Sequence, residues 1–320
     1  MKGTLTRKSV LSYLKVDYYK WIPLSVLIIL IIIFSFATPY FYRFENIMNI
    51  LLYASMYGMM AFGVAFVMIS GGLDLSIGSV MAFSSATAVL SMNYFNNVFV
   101  GVAFGLFTGI ITGLVTGIIV TKGKVNPFIA TLGMQLFYYG IAVWILPATL
   151  RAEQFEVRYI SDGKLLFVNF PIWILIIVFV ICIFVLNKTI YGKRLYAVGG
   201  NDKIAKLMGI NIDGIRIFNY VIIGLLTAIA AIFLVSRSQS ASSEFGFNAP
   251  FQIIGAVVLG GVSLKGGEGN IVNVLLGVFI YVILENALGL LNVLGFHKLY
   301  IWGLLLIGVT IMDNFRTRRL

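Results

Sequence analysis

The sequence predicts an all-α integral membrane protein with about ten transmembrane helices, and three observations lead to this class. Hydrophobic residues make up 60% of the 320 residues and charged residues only 11%, which is a membrane composition rather than a globular one. Residues 75–121 contain no Asp, Glu, Lys or Arg, and one straight helix of that length would be roughly 70 Å long. A bilayer core of about 30 Å holds such a stretch only as two spans. Asn93, Tyr94, Asn96 and Asn97 mark the turn between them.

Apolar runs between charged residues locate the individual spans. The first run exceeds the 7–15 residues of a signal-peptide core, so it is read as a retained helix. The eighth run would cover only some 22 Å as a helix, which predicts a short or interrupted crossing between SASSEFGFN and KGGEGN. The ten runs are 21–42, 47–70, 75–92, 98–121, 127–147, 170–187, 217–236, 250–264, 270–292 and 298–313.

The basic residues predict the orientation, because the cytoplasmic loops of membrane proteins carry an excess of Lys and Arg. With a cytoplasmic amino terminus, the alternating loops put 17 of the 23 basic residues inside. We therefore expect both termini in the cytoplasm and a single transmembrane domain over residues 1–320. The six basic residues on the other side are Arg43, Arg151, Arg158, Lys164, Arg237 and Lys298.

Several function classes are excluded by composition. The net charge of +11 does not indicate nucleic-acid binding, because the basic residues lie at the ends of apolar runs and not on a folded polar face. Cys182 and His297 are the only cysteine and histidine, so disulfides, metal sites and a Cys/His catalytic pair are not expected. No GxxxxGK(S/T) phosphate loop occurs. We expect a non-catalytic chain without a cofactor, and if ATP drives it, another chain binds the nucleotide.

The fourth run carries glycine at an unbroken four-residue period, which places all of these glycines on nearly one helix face. Bare backbone lets a second helix approach closely, which is how helices associate where lipid supplies no hydrophobic drive. The pattern predicts a tight helix contact, within the subunit or between subunits. The glycines are Gly101, Gly105, Gly109, Gly113 and Gly117.

Polar side chains within or beside the spans are candidates for a translocation pathway. Asp74 is the only charge between Glu45 and Lys122; it is either a gate residue or, with Ser76, an N-cap of the third span. Glu285 and Asn286 lie inside the ninth run, where they either line a central cavity or are structural. The full set of candidate pathway residues is Asp74, Ser76, Asn126, Gln252, Glu285 and Asn286.

The longest inside loop covers about residues 188–216. Within it, NDKIAKLMG predicts a short helix, with Asn201 or Asp202 as the cap and Gly209 as the terminating residue. So short a helix is marginal in water by itself. We therefore expect it to dock against another protein, and the alternative is a basic loop on anionic lipid.

Three stretches resemble the permease subunits of bacterial ABC importers of the ribose, xylose and galactose class. They are GGLDLSIGSVMA at 71–82, YGKRLYAVGGNDKIAKLMGIN at 191–211, and IIGAVVLGGVSLKGGEGNIVNVLLGVFIYVILENALGLL at 253–291. With the hydropathy pattern, the resemblance covers nearly the whole chain. It implies an ABC importer permease fold in the bacterial inner membrane.

The resemblance also implies partners. These are a second permease subunit, identical or different, two ATPase subunits that bind ATP and Mg²⁺ at the cytoplasmic face, and an extracytoplasmic sugar-binding protein. The older family signature beginning Glu-Ala-Ala is absent, and Lys203, Ile204 and Ala205 stand near its position. The implied coupling residues are Gly199, Gly200, Asn201, Asp202, Ala205, Leu207 and Gly209.

The implied substrate is a monosaccharide, either a ribose-like pentose or a hexose. Similar permeases carry autoinducer-2, and more distant relatives carry nucleosides, so these substrates stay open. An ion-coupled secondary transporter is a further alternative. It needs ion-coordinating groups near the midplane of the bilayer, and Asp74 and Glu285 are the only plausible carriers in this sequence.

Overall fold

A computed structural model describes residues 21–317 and shows a bundle of apolar helices with short connections. Two pairs of two-residue strands are the only β-structure in this range: β1 (Leu150–Arg151) pairs with β4 (Ser240–Ala241), and β2 (Lys164–Leu165) pairs with β3 (Val168–Asn169), both antiparallel. The helices are α1 (Ile22–Ala37), α2 (Phe44–Ile69), α3 (Ile77–Phe95), α4 (Val98–Thr121), α5 (Pro127–Ile145), α6 (Tyr159–Asp162), α7 (Phe170–Lys188), α8 (Ile190–Gly200), α9 (Asp202–Leu207), α10 (Ile212–Ser238), α11 (Ala249–Leu259), α12 (Ile271–Leu290) and α13 (Gly295–Thr317).

Asparagine side chains begin several of these helices. A helix leaves its first backbone N–H groups without internal partners, and an Asn oxygen just before the helix accepts from them. Asn97 accepts from the Phe99 N–H at 2.9 Å, for example. The helices capped in this way are α4, α5, α9, α10 and α12, by Asn97, Asn126, Asn201, Asn211 and Asn270.

Six helices of the described range are long and apolar enough to cross a membrane, namely α2, α4, α5, α7, α10 and α12. α1 and α11 are shorter apolar helices. The expected short eighth segment is α11, whose 11 residues measure roughly 16 Å. Length and composition thus support an all-α membrane protein with six full-length apolar helices, and α1, α3, α11 and α13 occupy the other expected runs.

The glycine face of α4 packs against α10 within the same subunit. A Cβ added at Gly109 would overlap the carbonyl oxygen of Gly224, and one added at Gly113 would overlap the carbonyl oxygen of Tyr220. Gly117 lies against Tyr220 as well. The two backbones therefore touch directly, because no side chain fits between them.

The amino-terminal half of the same glycine face packs against α3. Added Cβ atoms at Gly101 and Gly105 would lie 2.6 Å from the Ala88 oxygen and 3.0 Å from the Ala88 Cβ, respectively. The hydroxyls of Thr87 and Thr108 hydrogen bond across this contact at 2.9 Å. Such pairing removes the penalty of exposing a hydroxyl to lipid.

The connections between the helices lie at the two ends of the bundle. At one end, here called the α9 end, the segments 69–76, 122–126, 189–211 and 260–270 contact one another, as in the 2.9 Å bond from the Gly267 N–H to the Ile69 oxygen. At the other end, here called the β end, the β1–β4 pair lies beside Asn93, whose amide donates to the Arg151 oxygen at 2.9 Å. The basic residues expected within 1–20 and 318–320 lie outside the described residues.

Cysteine labelling tests which end faces the cytoplasm. A Cβ added at Gly200 meets open space, so Gly200→Cys is tolerated at the α9 end, and Ser242 follows β4 at the other end. In a Cys182→Ala background, we expect Ser242→Cys to react with an impermeant maleimide in intact cells. We expect Gly200→Cys to react only after the cells are opened. The reverse pattern would contradict the orientation derived from the basic residues.

Candidate functional site

Three backbone segments meet at the α9 end without intervening side chains. A Cβ added at Gly199, near the end of α8, would overlap the Ile69 carbonyl oxygen at the end of α2, and it would lie 2.5 Å from the Gly267 nitrogen. An added Cβ at Gly266 would lie 2.8 Å from the Gly71 Cα. We call this contact the glycine junction; its residues are Gly71, Gly199, Gly200, Gly266 and Gly267. It joins all three stretches that carry the family resemblance.

Two tyrosines brace the glycine junction. The Tyr196 hydroxyl of α8 donates to the Gly269 carbonyl oxygen at 2.7 Å, and the Tyr220 hydroxyl of α10 donates to the Leu73 carbonyl oxygen at 3.0 Å. Burial raises the pKa of the Tyr196 phenol, so the hydroxyl keeps its proton and remains a donor. A tyrosine hydrogen bond therefore ties the connection after α11 to α8, and another ties the connection after α2 to α10.

The predicted short helix is present as α9. Asn201 caps it by accepting from the Lys203 and Ile204 N–H groups at 3.0 and 3.1 Å. Gly209 follows with a φ of +74°, and the Ile210 N–H donates to the Ala205 carbonyl oxygen at 3.1 Å. This is the left-handed termination that favours glycine, and both ends agree with the sequence prediction.

Ala205 and Leu207, both predicted to couple α9 to another subunit, differ in exposure. Ala205 is fully buried inside this chain, whereas Leu207 is 88% exposed. Ala205 therefore packs α9 onto its own subunit and is not available to a partner. The exposed apolar side chains of this segment are Ile204, Leu207 and Met208, and only Leu207 was expected among them.

One ion pair ties α9 to α10, and a second ties the residue after α4 to α10. The Arg216 guanidinium donates to both carboxylate oxygens of Asp202, at 2.9 and 2.7 Å, and Lys122 pairs with Asp213 at 2.7 Å. Pairs this exposed contribute at most about 1 kcal/mol each. Their effect is mainly positional, because the Nη2 atom of Arg216 donates to both oxygens of Asp202 and holds α9 beside α10.

These groups surround a cavity of about 740 Å³ at the α9 end. α9, the start of α10 and the connection between α4 and α5 form its walls, and both Asp202 and Arg216 face it. Asn126, expected on the pathway, lines this cavity and also caps α5 by accepting from the Phe128 N–H at 3.0 Å. We call it the α9 cavity.

A second polar cavity, of about 560 Å³, lies between α2, α10, α12 and α13 at the β end. Glu285 and Asn286 line it. Glu285 accepts from the Lys298 ammonium at 2.7 Å and from the Trp302 indole N–H at 3.0 Å. Asn286 exchanges two hydrogen bonds with Asn46, at 3.0 and 2.8 Å. We call it the β-end cavity.

Sequence reasoning missed the contribution of α2 and α10 to the β-end cavity. Arg237 donates to the Asn49 amide oxygen at 3.1 Å, and its guanidinium carbon lies 4.6 Å from the centre of the Tyr53 ring. From the sequence, Arg237 was assigned only as one of the basic residues of the outer loops. Its place at the end of a long apolar run was the available signal, since a charge that ends a span faces a wet region.

The remaining candidate pathway residues lie apart from these cavities. The buried Asp74 carboxylate accepts from the Ser76 N–H at 2.8 Å and the Ser76 hydroxyl at 2.6 Å, and Ser76 begins α3 without a side-chain cap. The two residues thus close the turn before α3 and do not cap the helix as expected. Gln252 lines a separate cavity of about 210 Å³ between α11 and α13. The structure does not bring the six residues together, because their helices place them at different ends and depths.

A helical bundle with a polar cavity at each end and an exposed apolar segment beside a rigid junction is the arrangement of a membrane transport permease. Residues 46–312 match the family described as branched-chain amino acid transport system / permease component, and the chain belongs to this family. It is a non-catalytic permease subunit of an ABC importer, as the resemblance implied.

The chain is similar over most of its length to curated sugar permeases. It is 38% identical to the ribose import permease protein of Bacillus subtilis (strain 168) over 91% of this chain and 92% of that protein. It is 37% identical to the ribose import permease protein of Escherichia coli (strain K12), with the same two coverages. It is 35% identical to the L-arabinose transport system permease protein of the same strain over 92% of this chain and 90% of that protein. No solved structure matches the chain.

A pair of neighbouring alanine substitutions tests the glycine junction. Gly199→Ala places a methyl group on the Ile69 carbonyl oxygen and is expected to lower the free energy of unfolding by about 1–3 kcal/mol. Gly200→Ala adds the same atom into open space and should change it by less than about 0.5 kcal/mol. Thermal melting of the purified chain in detergent measures both, and equal melting temperatures would show that the junction is not tight.

Proposed function

We propose that this permease subunit forms the translocation pathway for a monosaccharide, a ribose-like pentose or a hexose, delivered by an extracytoplasmic binding protein. The ribose and L-arabinose permeases named above support a sugar as the substrate. The two polar cavities support a pathway that opens at either end, with the β-end cavity facing the binding protein and the α9 cavity facing the cytoplasm.

The observation that carries the proposal is the way in which α9 is held. Its Asn201 cap and the Asp202–Arg216 pair fix it to the subunit, and the preceding residues Gly199 and Gly200 belong to the glycine junction. Ile204, Leu207 and Met208 remain exposed. We infer that an ATPase subunit covers this apolar surface. Its motion then reaches α2 through the backbone contacts of the glycine junction and α10 through the Asp202–Arg216 pair.

The partners and topology follow from the same proposal. ATP and Mg²⁺ are bound by the ATPase subunits, and a second permease subunit, identical or different, completes the channel. Ten apolar helices cross the bacterial inner membrane or line the pathway, and both termini lie in the cytoplasm. The α9 end then faces the ATPase, in agreement with the excess of basic residues expected on that side.

The geometry favours this proposal over an ion-coupled transporter. A coupling carboxylate needs free oxygens near the midplane to bind and release an ion. Glu285 pairs with Lys298 at the β end, and Asp74 closes the turn before α3 at the α9 end. Neither carboxylate therefore lies near the midplane. Autoinducer-2 and nucleosides remain alternative cargoes of the same type of complex.

Uptake by reconstituted vesicles tests the proposed function. The chain is reconstituted with its ATPase subunit, and the sugar-binding protein is added outside. We expect accumulation of labelled D-ribose or L-arabinose that requires ATP inside and binding protein outside, and that persists when ionophores collapse the Na⁺ and H⁺ gradients. Uptake that follows an ion gradient without ATP would contradict the proposal.

A charge on the exposed face of α9 tests the docking of the ATPase. Leu207→Asp is expected to abolish copurification of the ATPase and uptake. The subunit should stay inserted and abundant, because Leu207 is 88% exposed and a charge there remains in solvent. Leu166→Asp is the matched control, since Leu166 is a 74% exposed leucine at the β end. Normal copurification with Leu207→Asp would remove α9 from the ATPase interface.

A further inference from the structure

We propose that the β-end cavity is itself a binding site for a neutral monosaccharide, formed by Asn49, Tyr53, Arg237 and Glu285. This inference rests on the proposed function, because it names the place in this chain where the transported sugar is held. Selection of the cargo is then shared between the binding protein and the permease.

The shape of the cavity suits a small polar ligand. Its volume of about 560 Å³ falls within the range of about 300–1,000 Å³ that is typical of small-molecule sites. Its polar groups come from different helices: Asn49 and Tyr53 from α2, Arg237 from α10 and Glu285 from α12. Polar groups that converge from several walls fix the orientation of a ligand.

One wall of the cavity is aromatic, which suits the C–H face of a sugar ring. Tyr53 is 38% exposed, and Tyr57 also lines the cavity. Behind them, the ring centres of Tyr57 and Tyr281 are 4.9 Å apart, and those of Tyr281 and Trp302 are 4.3 Å apart. This packing holds the Tyr57 part of the wall in place, and the partly exposed Tyr53 ring lies beside the polar groups of the cavity.

The hydrogen-bonding groups divide into a scaffold and a binding set. Asn46 and Asn286 satisfy each other through two mutual bonds, so they hold α2 against α12. The Asn49 amide oxygen accepts a hydrogen bond from Arg237. Within the described residues, the two amide N–H groups of Asn49 donate to no other group. A sugar hydroxyl both donates and accepts, and it therefore pairs with an amide N–H or with a carboxylate oxygen of Glu285.

The charged groups of the cavity are suited to the hydroxyls of a neutral sugar. Arg237 forms no ion pair within the described residues, and its guanidinium covers the Tyr53 ring at 4.6 Å. Glu285 is neutralised by Lys298 at 2.7 Å. Charged donors and acceptors form stronger hydrogen bonds to neutral hydroxyls than neutral groups do, so Arg237 and the Glu285–Lys298 pair are suited to hold an uncharged sugar.

Uptake and docking measured on the same variants test the site. In the reconstituted complex, Asn49→Ala and Tyr53→Ala are expected to slow D-ribose or L-arabinose uptake roughly tenfold, the factor that corresponds to a loss of about 1.4 kcal/mol. Tyr53→Phe keeps the ring and should retain most of the uptake. Tyr159→Ala is the matched control, because Tyr159 is an exposed tyrosine at the same end that lines a different, apolar cavity.

The affinity of the complex for the loaded binding protein, and the ATP hydrolysis that this protein stimulates, are measured in parallel. Both should be unchanged in the variants, so that less sugar is moved for each ATP hydrolysed. Variants that take up sugar at the wild-type rate would overturn the inference. Docking that weakens in proportion to uptake would overturn it too, since the cavity would then receive the binding protein. If the wild-type complex takes up no sugar, the proposed function itself fails.

Discussion

Direct contact between backbones is the constraint on which this structure depends. Within a bilayer, lipid tails are as apolar as leucine, so helices gain little from burying apolar side chains against each other. Close approach restores dispersion contacts, and only glycine permits it. α4 and α10 meet in this way at Gly109 and Gly224, and α2, α8 and the connection after α11 meet in this way at the glycine junction. The first contact builds the core of the bundle, and the second ties the exposed α9 to that core.

Polar groups inside the bundle follow a complementary rule, because each needs a partner where water is absent. Thr87 pairs with Thr108 between α3 and α4, and Asn46 pairs with Asn286 between α2 and α12. These pairs act as cross-links between helices. Arg237 and Asn49 are less completely paired and lie on a cavity wall.

Much of the fold was predictable, because the signals lie within short segments. The apolar runs predicted the six full-length apolar helices. The short eighth run predicted α11, and Asn201 with Gly209 predicted both ends of α9. The sites were less predictable, since they depend on contacts between distant segments. Burial of Ala205 and the pairing of Arg237 with Asn49, 188 positions apart, leave no local pattern. The glycine pattern of α4 predicted a close helix contact, but only the structure identifies α10 and α3 as the helices that it contacts.

The union of α4 with α10 has a mechanical consequence. α10 carries Arg216 at the α9 cavity and Arg237 at the β-end cavity, which are roughly 32 Å apart along the helix at about 1.5 Å per residue. Two helices in backbone contact resist bending more than one alone, so the pair behaves as a stiff strut between the two cavities. Under the proposed function, a tilt of this strut would displace the walls of both cavities together.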